Sequence, residues 1–172
     1  MQGTDVIIRA AKLLEGKGVH FTLIGSGQEL KRTKKLSESL RTVNVTFEPF
    51  LPQEKIVEYI RDADLCVGLI GDVPRVVRAI PNKVWEAAAM ARVSVNASPG
   101  SLEEVFTPGV DSLGMTPGNH EELAQKILEL KKSGKAAAMG YAAYETFLER
   151  GTPERIGRDL VDVIRTNFPS VT

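Results

Sequence analysis

Cysteine, histidine and long hydrophobic runs are scarce in this sequence, and each scarcity excludes a class of protein. The single cysteine, Cys66, allows no disulfide framework, and its apolar surroundings indicate a small buried side chain. The two histidines, His20 and His120, form no cluster with metal-ligand spacing. No apolar stretch is long enough to span a bilayer, and no signal-peptide core opens the chain. We therefore expect a reducing compartment, the cytoplasm.

The sequence also lacks a net charge. Lysine plus arginine and aspartate plus glutamate number 22 each, so no global charge favours nucleic acid or an anionic membrane. An apolar fraction of 42% and a charged fraction of 26% are typical of a globular core with a solvated surface. We expect a single domain over residues 1–172 and no nucleic-acid partner.

Helical and strand patterns alternate along the whole chain. The segment TDVIIRAAKLLEGKG has helical spacing with Thr4 or Asp5 as its cap, and the strand-like run VHFTLIG follows it. VNVTFEPF, DLCVGLI and VSVNAS favour further strands, and DLCVGLI is apolar enough to be buried on both faces. Asn119, with Glu122 three residues later, indicates another helix start. This alternation predicts an α/β protein with a doubly wound parallel sheet.

The chain opens with a helical pattern, whereas a strand–helix–strand unit begins with a strand. We therefore expect the opening segment MQGTD to follow directly on a first strand that the sequence does not include. The chain would then be a fragment of a longer polypeptide.

A glycine turn follows the first predicted strand. Doubly wound sheets bind ligands beyond the carboxyl ends of their strands, and Gly25, Ser26 and Gly27 lie at such an end. Glycines there let the backbone approach a ligand, and free N–H groups at the following helix favour an anion. The third glycine of a dinucleotide fingerprint is missing. On its own, the segment is better explained as a tight turn with Ser26 or Gly27 as helix cap.

The segment IPNKVWEAAAMA is more specific. Pro81 rigidifies the entry to a helix that Asn82 can cap, and Lys83 lies in the first turn. A cation there opposes the helix dipole at a cost of about 0.3–1 kcal/mol, which a bound anion would offset. Glu86 shares a helix face with Lys83. Because the rest of the helix is rich in alanine, we expect close packing, and ribose hydroxyls as donors to this carboxylate.

Two arginines precede this helix. Arg75 and Arg78 could complete an anion pocket with Lys83, or they could be solvated loop residues. The sequence contains no nucleophile-elbow serine motif and no Cys/His pair, so it assigns no catalytic residue and no metal ligand.

Two further loops carry weaker candidates. Phe50 and Leu51 could present backbone groups to a nucleobase edge, or they could form a plain strand-to-helix turn. Glu104 lies in the first turn of a short helix with Ser101 as its cap. Acidic residues stabilise a helix start in any case, so the stabilising role is favoured for Glu104.

The order of these segments resembles that of a known family. FTLIGSGQEL, VTFEPFLPQEKIVEYIRDADLCVGL, IPNKVWEAAAMARVSVNAS and GSLEEVFTPGVDSLGMTPGNHEELAQKILEL are similar to the C-terminal domain of retaining, nucleotide-sugar-dependent glycosyltransferases of the GT-B fold, closest to family 4, also called group 1. The resemblance covers nearly the whole chain. It implies the Rossmann-like C-terminal half of a GT-B fold, with a UDP- or GDP-linked sugar as substrate and no cofactor or metal.

The resemblance also implies roles for single residues. Glu86 matches the second glutamate of the family's Glu-x7-Glu motif, which binds the donor ribose. Lys83 belongs to a Pro-Asn-Lys variant that lies near the donor diphosphate.

Gly25 and Gly27 match the glycine turn that faces the nucleotide, and Glu104 matches a glutamate after a later glycine-rich turn. Phe50 and Leu51 fall where the family's backbone meets the base.

The chain departs from the family pattern in several places. Arg78 stands at the position of the first motif glutamate. Of the basic pair that clamps the diphosphate, the arginine's strand is missing and the lysine's position is Gln2. The N-terminal acceptor domain is missing as well, so we expect the isolated chain to transfer no sugar.

These expectations describe the donor-binding half of a retaining glycosyltransferase. Its partners would be the sugar nucleotide and the N-terminal domain of the same polypeptide. The resemblance implies glycan, lipid or polysaccharide acceptors and peripheral association of the intact enzyme with the inner face of the membrane. Two alternatives stay open. A GT-B-like sugar-nucleotide epimerase would need an additional acid/base residue, and a non-catalytic nucleotide-binding or interaction module would tolerate Arg78.

Overall fold

The computed structural model describes residues 3–168, in which helices alternate with parallel strands. Two 3₁₀ helices, Pro74–Val77 and Ser101–Glu104, lie in loops. The α/β class with parallel strands is confirmed. The other elements are, in chain order, α1 (Thr4–Leu13), β1 (Phe21–Ile24), α2 (Leu30–Leu40), β2 (Val45–Glu48), α3 (Gln53–Asp62), β3 (Cys66–Val67), α4 (Asn82–Ala89), β4 (Ser94–Ala97), β5 (Leu113–Met115), α5 (His120–Ser133), α6 (Ala136–Arg150) and α7 (Pro153–Asn167).

The strands form two parallel ladders. β1 pairs with β2, with Phe21 opposite Val45. β4 lies between β3 and β5, with Cys66 of β3 opposite Ser94. Within residues 3–168, no ladder joins β1 to β3. The parallel sheet expected from the sequence is therefore split into two ladders, and the interruption lies between β1 and β3.

β3 is shorter and more exposed than the sequence indicates. Only Cys66 and Val67 form it, and both are half-buried, whereas all four residues of β4 are buried. The expectation that DLCVGLI forms a strand buried on both faces is wrong. The reason is that β3 has a strand neighbour on one side only, while β4 has one on each side.

The main hydrophobic core connects the two ladders. Its buried residues come from α1, from strands of both ladders and from α5, and they include Val6, Phe21, Val95, Met115 and Leu123. Burial of each such side chain contributes roughly 1.5–3 kcal/mol. The core therefore holds the two ladders together, although no ladder hydrogen bonds join them in the part of the chain that the structure describes.

A second core lies under α4. Val84 and Ala88 of α4 pack with Ala143 of α6 and with Phe106. The Trp85 ring is half-buried beside this core, with its centroid 5.2 Å from that of Phe106. This packing fixes the orientation of α4, the helix that carries two of the predicted site residues.

The start of α1 differs from the expectation. Gly3 takes the N-cap position with φ +93°, a left-handed conformation that favours glycine. Neither Thr4 nor Asp5 caps the helix, so that prediction is wrong. The Thr4 hydroxyl is instead bonded to the Thr33 hydroxyl of α2 at 2.8 Å, which removes it from the capping role.

The start of α5 agrees with the expectation. The Asn119 side chain accepts a hydrogen bond from the Glu122 N–H at 3.0 Å, as an N-cap does. The Glu122 carboxylate accepts from the Thr116 N–H at 2.9 Å. The predicted cap is confirmed, and the glutamate fixes the preceding loop.

No helix within residues 3–168 combines the length and the hydrophobicity that crossing a membrane would require.

Candidate functional site

The carboxyl ends of the strands meet at one edge of the fold. Thr4 lines a cavity with Ile24 and Gly25, at the end of β1. A Cβ placed on the neighbouring Gly3 would lie 2.6 Å from the backbone nitrogen of Gly71, beyond the end of β3. The carboxyl ends of β1 and β3 therefore lie at the same edge of the fold, and the loops that carry the predicted site residues lie along this edge.

The glycine turn after β1 has the conformation that its sequence requires. Gly25 has φ +133°, and its N–H donates to the carbonyl of Glu48 at 3.1 Å. Ser26 and Gly27 are exposed. α2 begins only at Leu30, after a turn in which the Leu30 N–H donates to the Gly27 carbonyl at 3.0 Å. Because of this extra turn, neither Ser26 nor Gly27 caps the helix, and that prediction is wrong.

A cavity of about 390 Å³ opens beside this turn. Gly25 and Gly27 are the predicted site residues in its lining. The bonded hydroxyls of Thr4 and Thr33 also line it, and no local sequence pattern links these two residues, which are 29 positions apart. The complete lining is Thr4, Leu23, Ile24, Gly25, Gly27, Gln28, Glu29, Leu30, Thr33 and Phe47.

Lys83 is half-buried on the first turn of α4. Loss of hydration lowers the pKa of its ammonium group from 10.5 to about 8, against the opposing influence of Cys66 and Glu86. Burial likewise raises the pKa of the Cys66 thiol to about 11, against the fields of Arg92 and Lys83. An anion bound at this place would stabilise the charged form of the lysine and so raise its pKa again.

Glu86 lies one turn after Lys83 and is exposed. Within residues 3–168 its carboxylate makes no hydrogen bond and no ion pair. Ala87 and Ala88, which follow it, are buried. The expectation of a closely packed helix therefore holds for one face of α4, while the glutamate faces solvent with its acceptor positions open.

The entry to α4 differs in one detail from the expectation. Pro81, in extended conformation, takes the N-cap position, and no side chain caps the helix. Asn82 is the first helical residue and is exposed. The prediction that Asn82 caps α4 is wrong, because the residue lies one position too far into the helix. The free N–H groups at this end stay open to a ligand.

Arg75 and Arg78 lie on the surface of the loop before α4. Arg75 belongs to the first 3₁₀ helix, and Arg78 follows it directly. Val76, between them, is buried, which anchors the loop and leaves both guanidinium groups exposed. A Cβ on Gly100 would touch the carbonyl of Val77, so the loop after β4 packs against this 3₁₀ helix.

In the loop after β4, Glu103 makes the contacts and Glu104 does not. The Glu103 carboxylate accepts hydrogen bonds from the Ser98 hydroxyl and from the Gly100 N–H, the latter at 2.6 Å. Glu104 is exposed and has no hydrogen-bond partner for its carboxylate within residues 3–168. Gly100 takes the cap position predicted for Ser101, because its N–H is the one that Glu103 reaches. A glutamate three residues after the loop glycine is the sequence signal for this contact.

Phe50 and Leu51 lie in the loop after β2, beyond Pro49. Phe50 is 75% exposed, and Leu51 is half-buried. Neither residue lines the cavity beside Gly25. The loop therefore presents an uncovered aromatic ring at the same edge as the glycine turn.

The pattern of a known family runs through most of this chain. The model of the family described as glycosyl transferases group 1 matches residues 1–133. The chain belongs to this family. No curated protein sequence matches it significantly.

Solved structures show the same fold. The chain is similar to HepE of Anabaena in complex with UDP-glucose, with a TM-score of 0.81 and 21% identity over 96% of this chain and 45% of that one. It is similar to sucrose-phosphate synthase from Thermosynechococcus elongatus, with a TM-score of 0.79 and 19% identity over 98% of this chain and 43% of that one. It is also similar to the C-terminal domain of LpcC, a group 1 protein from Francisella tularensis, with a TM-score of 0.72 and 17% identity over 88% of this chain and 80% of that one. The chain thus spans less than half the length of the first two proteins.

In this group 1 chain, the predicted residues fall into separate places along one edge. Gly25 and Gly27 belong to the cavity beside β1, and Lys83 and Glu86 belong to α4. A surface hollow of about 500 Å³ on α7 contains none of the predicted residues. Gln2 lies outside the described residues. Within residues 3–168, no group of three or more His, Cys, Asp or Glu is placed to hold a metal.

Proposed function

We propose that this chain is the donor-binding half of a retaining glycosyltransferase. The intact enzyme moves a sugar from a nucleoside diphosphate sugar to an acceptor and preserves the configuration at the anomeric carbon. The observation that carries the proposal is the poorly hydrated ammonium of Lys83 with the open Glu86 carboxylate one turn later, in a chain of the group 1 family. A cation and a carboxylate so placed suit a diphosphate and a ribose.

The roles follow from the chemistry of each group. Lys83 and the free N–H groups at the start of α4 stabilise the charge that develops on the leaving diphosphate. Glu86 accepts hydrogen bonds from the ribose hydroxyls and so positions the donor. Arg75 and Arg78, both exposed in the preceding loop, are near enough in the chain to contribute further positive charge. The reaction needs no metal in this proposal.

The glycine turn and the loop after β2 complete the nucleotide site. Gly25 and Gly27 let the backbone approach the donor, and the groups around Phe50 and Leu51 meet the base. Glu104, exposed in the loop after β4, also binds the donor in this proposal. The HepE structure contains UDP-glucose. A UDP- or GDP-linked sugar, with hexose as the transferred unit, is therefore the donor that we propose.

The rest of the enzyme lies outside this chain in the proposal. The chain spans 45% of the length of HepE, and an N-terminal acceptor-binding domain would supply the other side of the cleft. The apolar residues Ile156, Leu160 and Phe168 of the α7 region are all more than half exposed, and we propose that they pack on that domain. The isolated chain then binds nucleotide weakly and transfers no sugar. The intact enzyme works in the cytoplasm, at the inner face of the membrane.

A titration tests the donor site. UDP, GDP and ADP are added in turn to the chain, and amide NMR shifts are recorded. We expect one nucleotide to move resonances in residues 25–28 and 81–86, and Lys83→Ala and Glu86→Ala each to weaken it about tenfold, equivalent to about 1.4 kcal/mol. Lys55→Ala and Glu58→Ala are matched controls. These residues form an exposed pair at the same spacing on α3, with 2.9 Å between the charged groups, and their replacement should leave the affinity unchanged.

Two results would contradict the proposal. One is binding that survives both α4 substitutions, and the other is sugar transfer by this chain alone. If no nucleotide binds at millimolar concentration, the full-length polypeptide is titrated in the same way. Absence of binding there as well would reject the donor site.

A non-catalytic nucleotide-binding module is the second candidate, because Arg78 stands where the family motif has a glutamate. The full-length protein is incubated with the sugar nucleotide that binds, and release of the free nucleoside diphosphate is followed. Release that depends on an acceptor supports the enzyme. Tight binding without any release, together with release in the Arg78→Glu variant, would favour the module.

A further inference from the structure

We propose that helix α6 pairs with α6 of a second copy of this chain in antiparallel orientation and so forms a symmetric dimer. The contact surface is the α6 stripe, which consists of Ala137, Tyr141, Tyr144 and Leu148. This inference concerns a surface away from the candidate nucleotide site and does not depend on that site. It rests on the composition of α6, on the position of the stripe and on the charges beside it.

α6 is apolar on both of its faces. Its inner face, with Met139, Gly140 and Ala143, is buried in the packing against α4. From Ala136 to Tyr144 the helix carries no charged residue, although four of these nine residues are exposed. A surface helix normally carries charged and polar side chains on its outer face. The outer face of α6 is therefore suited to burial against another molecule.

The exposed apolar residues of α6 follow the spacing of a coiled-coil seam. Positions 137, 141, 144 and 148 alternate in steps of four and three residues, which places their side chains in one line along the helix. Tyr141, Tyr144 and Leu148 are 67%, 36% and 50% exposed. The Tyr144 ring is stacked on that of Phe147, with 6.4 Å between the centroids, so its position is already restricted. Aromatic side chains held in one exposed stripe are typical of a protein interface.

The stripe begins far from the ligand edge. α4 starts at that edge with Asn82, and a Cβ on Gly140 would touch the carbonyl of Ala91, just beyond the other end of α4. The first half of α6 is therefore separated from the edge by the length of α4, about 12 Å. A domain that closes over the ligand edge covers the opposite end of α4, so it leaves the first half of the stripe to another molecule.

The stripe is complementary to itself. In the antiparallel register that places Tyr141 opposite Tyr144 of the second copy, Ala137 lies opposite Leu148. Small side chains then face large ones, and the tyrosine rings can pack in an offset arrangement. Two-fold symmetry repeats each of these contacts. A parallel pair would instead place Ala137 against Ala137 and leave a gap between the helices.

The charges beside the stripe favour the same register. Lys135 and Glu149, both exposed, lie two heptads apart and therefore on the same side of the stripe. Antiparallel pairing places Lys135 of each copy opposite Glu149 of the other, whereas parallel pairing would bring like charges together. Glu149 also has an exposed ion pair with its neighbour Arg150, at 3.3 Å, which contributes little and can be exchanged. A second copy therefore matches the stripe in shape and in charge.

Sedimentation velocity tests the proposal. Over a range from about 1 to 200 µM, we expect a monomer–dimer equilibrium with a Kd on the order of 10 µM, because two helices about 22 Å long form a small interface. Tyr141→Glu should weaken the dimer at least about a hundredfold, since it buries a carboxylate in the stripe. Tyr59→Glu is the matched control. Tyr59 is exposed on α3, and its replacement should leave the Kd unchanged. Circular dichroism of both variants verifies the fold.

Charge exchange tests the orientation of the two helices. Lys135→Glu and Glu149→Lys should each weaken the dimer about tenfold, because each brings like charges together at two symmetric places. The double variant pairs opposite charges again and should regain the wild-type Kd. If both single variants weaken the dimer and the double variant does not recover it, the antiparallel register is wrong.

Three other results would overturn the proposal. One is a chain that stays monomeric at about 200 µM, where even a weak specific interface is populated. Another is a dimer that survives Tyr141→Glu, which would place the contact on a different surface. The third is a dimer that forms from this chain but not from the full-length polypeptide, which would assign the stripe to the rest of that polypeptide. None of these results depends on whether a nucleotide binds.

Discussion

Lys83 and Cys66 lie close enough for each to shift the pKa of the other, yet loss of hydration dominates both. Burial lowers the pKa of the Lys83 ammonium from 10.5 to about 8 and raises the pKa of the Cys66 thiol from 9.0 to about 11. The fold therefore places a lysine with a pKa of about 8 at the edge where ligands of parallel sheets bind.

The pH dependence of nucleotide binding follows from this lysine. Below about pH 8 the ammonium of free Lys83 is charged and attracts a diphosphate; above it, binding must also restore the proton. Affinity should therefore fall as the pH rises from about 7 to about 9.5, by up to tenfold for each pH unit above 8. Calorimetric titrations with the nucleoside diphosphate that binds measure this fall. In Lys83→Arg, whose guanidinium stays charged, the curve should be flat. A wild-type affinity that is constant over this range would contradict the assignment.

The reactivity of Cys66 should be low. Its pKa of about 11, compared with an ordinary value of 9.0, lowers the thiolate fraction about a hundredfold near pH 8. We expect iodoacetamide to alkylate the folded chain about a hundred times more slowly than the chain in urea. Glutathione under both conditions controls for the effect of urea on the reagent. Equal rates for the folded and the unfolded chain would show that the thiol is hydrated.

Gly140→Ala should destabilise the fold. An added Cβ would touch the backbone carbonyl of Ala91, where α6 crosses the end of α4, and neither backbone can move without disturbing the second core. Overpacking of this kind costs about 1–3 kcal/mol, which urea unfolding measures. Gly157→Ala is the matched control. Nothing lies within 4 Å of its added Cβ on α7, so the same change should stabilise the helix by up to about 1 kcal/mol. The same sign for both variants would reject the close contact.

Asn119→Ala should remove the cap of α5. The Asn119 side chain satisfies the Glu122 N–H, which would lose its partner at the start of a helix that packs against the main core. Such a loss costs about 1 kcal/mol of the free energy of unfolding. Gln125→Ala, on the exposed face of the same helix, controls for the general effect of substitution and should change stability by less than about 0.5 kcal/mol. If the two variants are equally stable, the cap contributes nothing.

The periodicity of the sequence was sufficient for most of the fold. The helices and parallel strands follow from apolar spacing, because each segment must bury one face. The cap at Asn119 was predictable because capping is local. The caps predicted at Thr4 and Asn82 failed for a different reason: Thr4 bonds Thr33 from a distant helix, and α4 begins one residue early. The length of β3 also depends on neighbouring strands, which its own residues do not encode.

The candidate site, like the fold, was predictable from the sequence only where it depends on local spacing. The identity and spacing of Lys83 and Glu86 could be found in the sequence, because both lie on one helix. The lowered pKa of Lys83 could not, since it arises from the packing of α4 on β3. The pair of Thr4 and Thr33 in the cavity lining was equally hidden, because tertiary contact alone brings the two hydroxyls together.

The packing of Trp85 gives the molecule an optical property. It is the only tryptophan in the sequence, it rests against Phe106, and it stands next to Glu86 on α4. Intrinsic fluorescence excited at the indole band therefore comes from one place in the molecule, the middle of the helix that carries Lys83 and Glu86. Changes in the emission of the native chain therefore report on α4 and on its contacts with Phe106 and Gly151, and no dye has to be attached to observe them.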